Sequence, residues 1–239
     1  MPERLVIIPT YNERENIADV LTHVLGLDPS FDVLVVDDNS PDGTGDIVAE
    51  LQAHWPGRLH LLRRSGKLGL GTAYIAGFKW ALEKGYAFIF EMDADFSHDP
   101  NDLVRLYEAC ARPGVGMSVG SRYVKDGQVK DWAWHRIMLS YCASIYVRMV
   151  LWLGVRDTTA GFVCYRNAVL AGLPLDEIRF IGYAFQIEMK YRVKLSGHKI
   201  VEVPITFIDR LKGKSKMSAG IFHEAVLGVV KMRFSIPRP

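Results

Sequence analysis

The first half of the chain alternates short, unbroken apolar runs with stretches of helical spacing. Leu5, Val6, Ile7 and Ile8 form a run that ends at Pro9. Residues 15–25 repeat apolar positions at Ile17, Val20, Leu21 and Val24, the period of a helix with one buried face. Residues 33–36 form the next apolar run, closed by the turn-forming cluster 37–43. Residues 44–51 read as helix, 59–62 as a third strand, 69–84 as a helix after a glycine-rich entry, and 87–90 as a fourth strand. Strands that are apolar at every position, separated by helices, predict a parallel sheet covered on both faces. In such sheets ligands lie beyond the C-terminal strand ends. Three polar clusters fall there: 9–13, Asp37-Asp38, and Glu91 to Asp95.

The pattern changes after about residue 120. Residues 137–153 are apolar nearly all round, interrupted by Ser140, Ser144 and Arg148. A spanning helix needs about 20 apolar residues, and an unpaired arginine at mid-bilayer is unfavourable. The stretch therefore predicts a helix lying at a membrane interface or packed on the core. Trp132, Trp134, Tyr141, Tyr146 and Trp152 suit an interface, since these rings join an apolar body to a polar edge. Residues 221–230 predict a second, short apolar helix followed by Lys231 and Arg233.

Composition adds little to this. The chain has 239 residues, 49% hydrophobic and 23% charged, with a net charge of +2, so nucleic acid is not an expected partner. The charge is uneven: after residue 209, seven lysines and arginines face Glu224 alone. Such a segment attracts phosphate, on a substrate or on a membrane surface. Cys110, Cys142 and Cys164 have no zinc-type spacing and fit a reducing setting. No signal-type run precedes the first strand, so a cytosolic start is expected.

The candidate chemistry centres on Asp93 and Asp95, at the tip of the fourth strand. Two carboxylates there suit a hard divalent cation that keeps waters and takes oxygens from a diphosphate. Other polar groups have plainer readings. Asp37 and Asp38 fit a turn that caps the next helix. The glycines between 66 and 71 lack the phosphate-loop pattern and shape a turn, leaving Lys67 a weak contact. His98 and His135 have no spaced partners, and Glu91 reads as support behind the cluster. No Gly-x-Gly-x-x-Gly follows the first strand, which argues against a nicotinamide dehydrogenase.

Several motifs, in order, carry a resemblance. They are Ile8 to Asn16, Val35 to Thr44, Gly66 to Tyr74, Asp93-Ala94-Asp95-Phe96-Ser97-His98-Asp99-Pro100, Gly120 to Tyr123, Thr159 to Phe162, and Phe207 to Lys216. Together they resemble family 2 glycosyltransferases, and within these the polyprenol-phosphate (dolichol-phosphate) mannose synthases, from about residue 4 to about 217. The resemblance implies an α/β fold of the GT-A type, with a mostly parallel sheet flanked by helices and amphipathic membrane-interface helices. It implies a catalytic domain over 1–217, with the interface helix at about 132–155, and a basic amphipathic helix and tail over 218–239. The implied reaction moves mannose from GDP-mannose to a polyprenyl or dolichyl phosphate, with inversion. Pro9, Tyr11 and Glu13 would line the nucleoside, and Val36 and Asp38 the guanine. Asp93, Ala94 and Asp95 would meet the diphosphate and a magnesium or manganese ion. Arg122, Arg136, Arg210 and Lys216 would offset phosphate charge, with Ser140 beside Arg136 at the acceptor. Where some members carry a metal-binding glutamine, this chain has Ser97, a weaker ligand. Asp95 would serve the metal, because an acceptor phosphate is already anionic near neutral pH and needs no base.

The expected setting is peripheral, on the cytoplasmic face of the endoplasmic reticulum or plasma membrane, held there by the chain's own amphipathic segments (135–153 and 219–233) or by a separately encoded membrane-anchoring protein. Two other readings stay open: a polyprenyl-phosphate glucosyltransferase, and a non-catalytic sugar-nucleotide-binding module that docks on a membrane protein.

Overall fold

The computed structural model describes residues 3–180, 182–209 and 219–236. The N-terminal part alternates strand and helix: β1 (Arg4–Thr10), α1 (Ile17–Leu25), β2 (Asp32–Asp37), α2 (Thr44–Leu51), β3 (Leu59–Arg63), α3 (Leu70–Lys84) and β4 (Phe88–Glu91). Then follow α4 (Asp102–Ala111), β5 (Val115–Ser121), β6 (Gln128–Lys130), α5 (Trp134–Leu151), β7 (Val163–Arg166), α6 (Asn167–Ala171), α7 (Tyr183–Leu195), β8 (Lys199–Pro204), β9 (Thr206–Ile208) and α8 (Ala219–Ser235).

Among the described residues one seven-stranded sheet has the order β3-β2-β1-β4-β7-β5-β8, and β6 and β9 form a separate parallel pair. All neighbours in the large sheet run parallel except β7, which is antiparallel to both β4 and β5. The four sequence-predicted strands are β1 to β4. β1 runs on through Pro9, which pairs with Val36 of β2 after β4 has ended opposite Ile7. There β1 has one neighbour only, a position that tolerates a residue without an N–H.

The unbroken apolar strands feed two cores. Val6, Ile8, Val33, Val35 and Phe90 pack under α1, α2 and α4. Leu5, Ile7, Leu34, Val36 and Ile89 point the other way, against α3, α6 and α7. The alternation follows from the period-two pleat of a strand. Gly69, just before α3, takes a positive φ (104°) that suits glycine.

A third core joins the remaining helices, through Val147 and Leu151 of α5, Ile187 and Tyr191 of α7, and Val229 and Met232 of α8. α5 buries Ser144, Val147 and Leu151 on that side and leaves Trp134, Met138, Leu139, Tyr141 and Met149 exposed. Among the described residues no helix is long and apolar enough to cross a membrane.

Candidate active site

The chain leaves β4 at Glu91 and turns sharply over the sheet edge. The Met92 N–H donates to the Ile7 carbonyl (3.2 Å), which continues the ladder one step further. Phe96 then takes a positive φ (58°), and the Ser97 N–H donates back to Asp95 Oδ1 at 3.1 Å. This turn aims Asp93, Asp95, Ser97 and His98 into one cavity of about 450 Å³. Arg122, Arg136 and Ser140 line the same cavity, as do Trp132, Tyr146, Val147, Ile187 and Val229. It therefore runs from the carboxylates, past two guanidinium groups, to apolar walls built by α5, α7 and α8.

Ser97 Oγ is buried without a hydrogen-bond partner. An unsatisfied oxygen beside two carboxylates fits a hard divalent cation, which binds oxygen ligands. Among the described residues no group of three or more His, Cys, Asp or Glu side chains is placed to hold a metal. The donor set here is thus two carboxylates and a hydroxyl.

Arg122 follows β5 and is nearly buried. Its Nε and Nη2 each donate to Asp157 at 2.7 Å, and Nη2 also donates to Thr159 Oγ1 at 3.0 Å. The Arg122 N–H donates to Asp157 as well (2.9 Å). Two main-chain bonds to Glu202, from Arg156 (2.8 Å) and Asp157 (3.0 Å), hold the loop that carries this carboxylate. Arg136, in the first turn of α5, pairs with Asp209 (3.1 Å) and lies 3.8 Å from the Trp132 ring centre. Ser140 sits one turn further along α5. Trp132 and Tyr146 line the cavity: Tyr146 packs on the core that α5 shares with α7 and α8, and the Trp132 ring meets Phe207 edge-on with centroids 5.3 Å apart. Arg210 and Lys216 lie outside the described residues.

The nucleoside set occupies the adjoining ends of β1 and β2 and does not line the cavity. Pro9 pairs with Val36 in the sheet, and the Asp38 N–H donates to the Thr10 carbonyl (3.0 Å). Tyr11 stands under Lys67, whose Nζ is 4.8 Å from the ring centre. Glu13 is tied by its N–H to Thr44 Oγ1 (3.0 Å) and by its carboxylate to Asn16 (3.3 Å). Asp38 Oδ2 accepts from Arg64 Nη2 (3.2 Å) and from the Leu68 N–H (3.3 Å), and its Oδ1 lies 2.7 Å from Arg64 Nε in an ion pair. Burial raises its pKa, and the Arg64 charge opposes that rise. The Val36 side chain is packed in the core, which leaves only its main chain to a ligand. Ala94 is also buried. Asp37 organises the turn, accepting from Thr10 Oγ1 (2.8 Å) and the Ser40 N–H (3.0 Å). The N–H of the first α2 residue, Thr44, is met by Asp42 instead (3.0 Å).

Behind the carboxylates lies a buried polar network. Glu91 accepts from the Tyr165 hydroxyl (2.8 Å) and from Gln186 Nε2. Burial pushes its carboxyl up to about 7, against the pull of those bonds and of Lys190. Lys190 donates to the Ala160 carbonyl (2.6 Å), and burial pushes its ammonium down to about 8. His98 stacks on Phe162 with centroids 4.7 Å apart, and burial pushes it down to about 4, so it is neutral. Sequence reasoning missed Tyr74, Asp157, Gln186 and Lys190. The one available signal was a helix, α7, with polar residues at 186, 188, 190 and 192 and no evident outer face.

Glycosyl transferase family 2 matches the chain over residues 5–173. The chain belongs to this family. The glycosyltransferase is 47% identical over 227 residues to the polyprenol monophosphomannose synthase of Mycolicibacterium smegmatis, covering 95% of this chain and 85% of that one. It is 48% identical over 227 residues to the undecaprenyl-phosphate mannosyltransferase of Micrococcus luteus (95% and 92% covered). It is 36% identical over 233 residues to the dolichol-phosphate mannosyltransferase of Pyrococcus furiosus (95% and 62% covered). This places the glycosyltransferase among the polyprenol-phosphate mannose synthases. Its fold matches the glucosyl-3-phosphoglycerate synthase of Mycobacterium tuberculosis, solved with Mn2+, UDP and phosphoglyceric acid, with a TM-score of 0.68 at 17% identity, covering 99% of this chain and 80% of that one. The glycosyltransferase thus has the GT-A fold.

Proposed function

We propose that the protein transfers mannose from GDP-mannose to a polyprenyl (or dolichyl) phosphate, with inversion, at the cytoplasmic face of the endoplasmic reticulum or plasma membrane. One observation carries this reading: the carboxylates, the guanidinium groups and an apolar wall share a single cavity. A water-soluble acceptor has no use for that wall, whereas a polyprenyl chain does. The names of the relatives support the mannosyl group and the lipid phosphate.

Asp93 and Asp95, with Ser97, would hold a magnesium or manganese ion, which supplies charge to the leaving diphosphate. Pro9, Tyr11, Glu13, Val36 and Asp38 bind the nucleoside along the β1 and β2 ends. Arg122, fixed by Asp157, and Arg136 offset the repulsion between donor and acceptor phosphates. Ser140 donates to the acceptor, and Arg210 and Lys216 join the cationic set. An acceptor oxygen attacks the anomeric carbon opposite the diphosphate. The carbon–oxygen bond to the diphosphate breaks, and GDP leaves with the electron pair. A phosphate monoester, with its second pKa near 6, needs no base. Asp95 therefore balances charge and takes no proton. Residues 1–217 carry the polar groups of the reaction, α8 adds Val229 to the cavity wall, and the basic C-terminal segment or a separate anchoring protein holds the enzyme at the membrane.

The test is transfer from labelled GDP-mannose to a short polyprenyl phosphate with magnesium or manganese, run beside UDP-glucose. Metal-dependent labelled lipid from GDP-mannose alone is expected. Product from UDP-glucose instead would move the protein to the glucosyl relatives. Tight GDP binding with no lipid product would sink the transfer reading in favour of a binding module.

A further inference from the structure

Tyr74, on the first turns of α3, has no role in the reaction described so far. The residue lines the cavity with Asp93 and Asp95, and its hydroxyl is buried without a hydrogen-bond partner. The ring is fixed by near-parallel stacking on Phe185, with centroids 5.9 Å apart and planes 6° apart. A buried hydroxyl without a partner costs free energy, so one on a cavity-lining residue points to a ligand contact.

Gln186 follows Phe185 on α7 and lines the cavity too. Its amide orientation is dictated by its neighbours: Nε2 donates to Glu91, and Oε1 accepts from Lys190 at 3.4 Å. A carboxylate on one side and an ammonium on the other allow only one choice. Each end of the amide keeps one further hydrogen-bonding position.

Gly161 lies over this amide. A Cβ there would meet only Gln186, 3.6 Å from Nε2 and 4.0 Å from Cδ. Its backbone is not among the positive-φ glycines, so conformation does not call for glycine here. What the missing side chain provides is room above the amide. A hexose hydroxyl both donates and accepts, which matches a lone phenol and a half-used amide.

We propose that Tyr74 and Gln186 bind hydroxyl groups of the donor's hexose in the space left by Gly161, with Glu91 and Lys190 as positioning residues for Gln186. This rests on the donor reading above and adds where its sugar is recognised.

Three variants test it: Tyr74→Phe, Gly161→Ala and Gln186→Met. Affinity for GDP and for GDP-mannose is measured without acceptor, then kcat/KM with a short polyprenyl phosphate. In Tyr74→Phe, GDP affinity stays unchanged while GDP-mannose affinity and kcat/KM fall roughly 3- to 10-fold, the effect of one neutral hydrogen bond. Its Tm holds or rises, because an unpaired buried hydroxyl has gone. Gly161→Ala meets no clash and loses about tenfold or more on the sugar donor only. Gln186→Met behaves alike where it folds. Where it does not, the other two variants decide.

Unchanged GDP-mannose affinity in Tyr74→Phe and Gly161→Ala overturns the proposal. So does an equal loss for GDP and GDP-mannose, or a loss confined to the KM of the lipid. If the parent enzyme uses a UDP-hexose instead, the same ratio is taken between that donor and UDP. The donor base and the hexose site are then judged separately.

Discussion

Arg122 and Asp157 sit side by side with almost no water access, side chains 8% and 0% exposed, in a bidentate pair. Removing one member of such a pair strands the other. Asp157→Ala is expected to lose about 3–5 kcal/mol in urea unfolding, and to misplace the guanidinium for catalysis. Glu91 gives a pH signature. Its folded pKa, about 7, lies above the ordinary 4.5, so the folded state holds the proton more tightly. The stability this contributes is complete below the ordinary value and is lost as pH rises through about 7. Thermal unfolding from pH 4 to 8 should show the stability of the parent falling relative to Glu91→Gln across that window; parallel curves would refute it. At this scale the sequence spoke for groups at strand ends: Asp93, Asp95 and Asp38 stand out because each lies just past an unbroken apolar run. Asp157, Gln186, Lys190 and Tyr74 were silent. Their meaning lies in burial and pairing across distant segments, which no local pattern records.

Among elements, β1 to β4 were legible because a strand covered on both faces must be apolar throughout. β5, β7 and β8 were not. β5 carries Gly116, Ser118 and Gly120, and β7 is a short strand that reverses direction between parallel neighbours. The close contact of α3 with β1 was equally hidden: a Cβ on Gly77 would lie 2.7 Å from Ile7 Cγ2. Gly77→Ala should therefore cost about 1–3 kcal/mol by overpacking, read as a lower denaturation midpoint. α5 and α8 carry exposed apolar side chains. Trp152, at the end of α5, is 74% exposed, and Phe234 of α8 is 84% exposed. On the membrane reading, Trp152→Ser and Phe234→Ser should each weaken flotation with anionic vesicles about tenfold. High salt should leave the parent bound. Release by salt alone would assign attachment to the basic segment instead.

At the scale of the whole molecule, the sheet end supplies charge and the three-helix core supplies the apolar wall. Removing either carboxylate, by Asp93→Asn or Asp95→Asn, should lower kcat at least about a hundredfold while leaving the melting temperature near that of the parent. Chelation should have the same effect on turnover and be reversed by adding metal.

The position of α8 matters for how the protein comes into being. Val229 and Met232 complete the core that α5 and α7 begin, and Val229 is part of the cavity wall. A ribosome delivers them after every strand of the sheet has emerged. On the proposed function, the strand ends that would hold the nucleotide are made before α8, and α8 then closes the wall that would take the lipid. During synthesis a chain stalled before α8 would leave the apolar cleft between α5 and α7 open, a state for which a chaperone or the membrane itself is the natural cover.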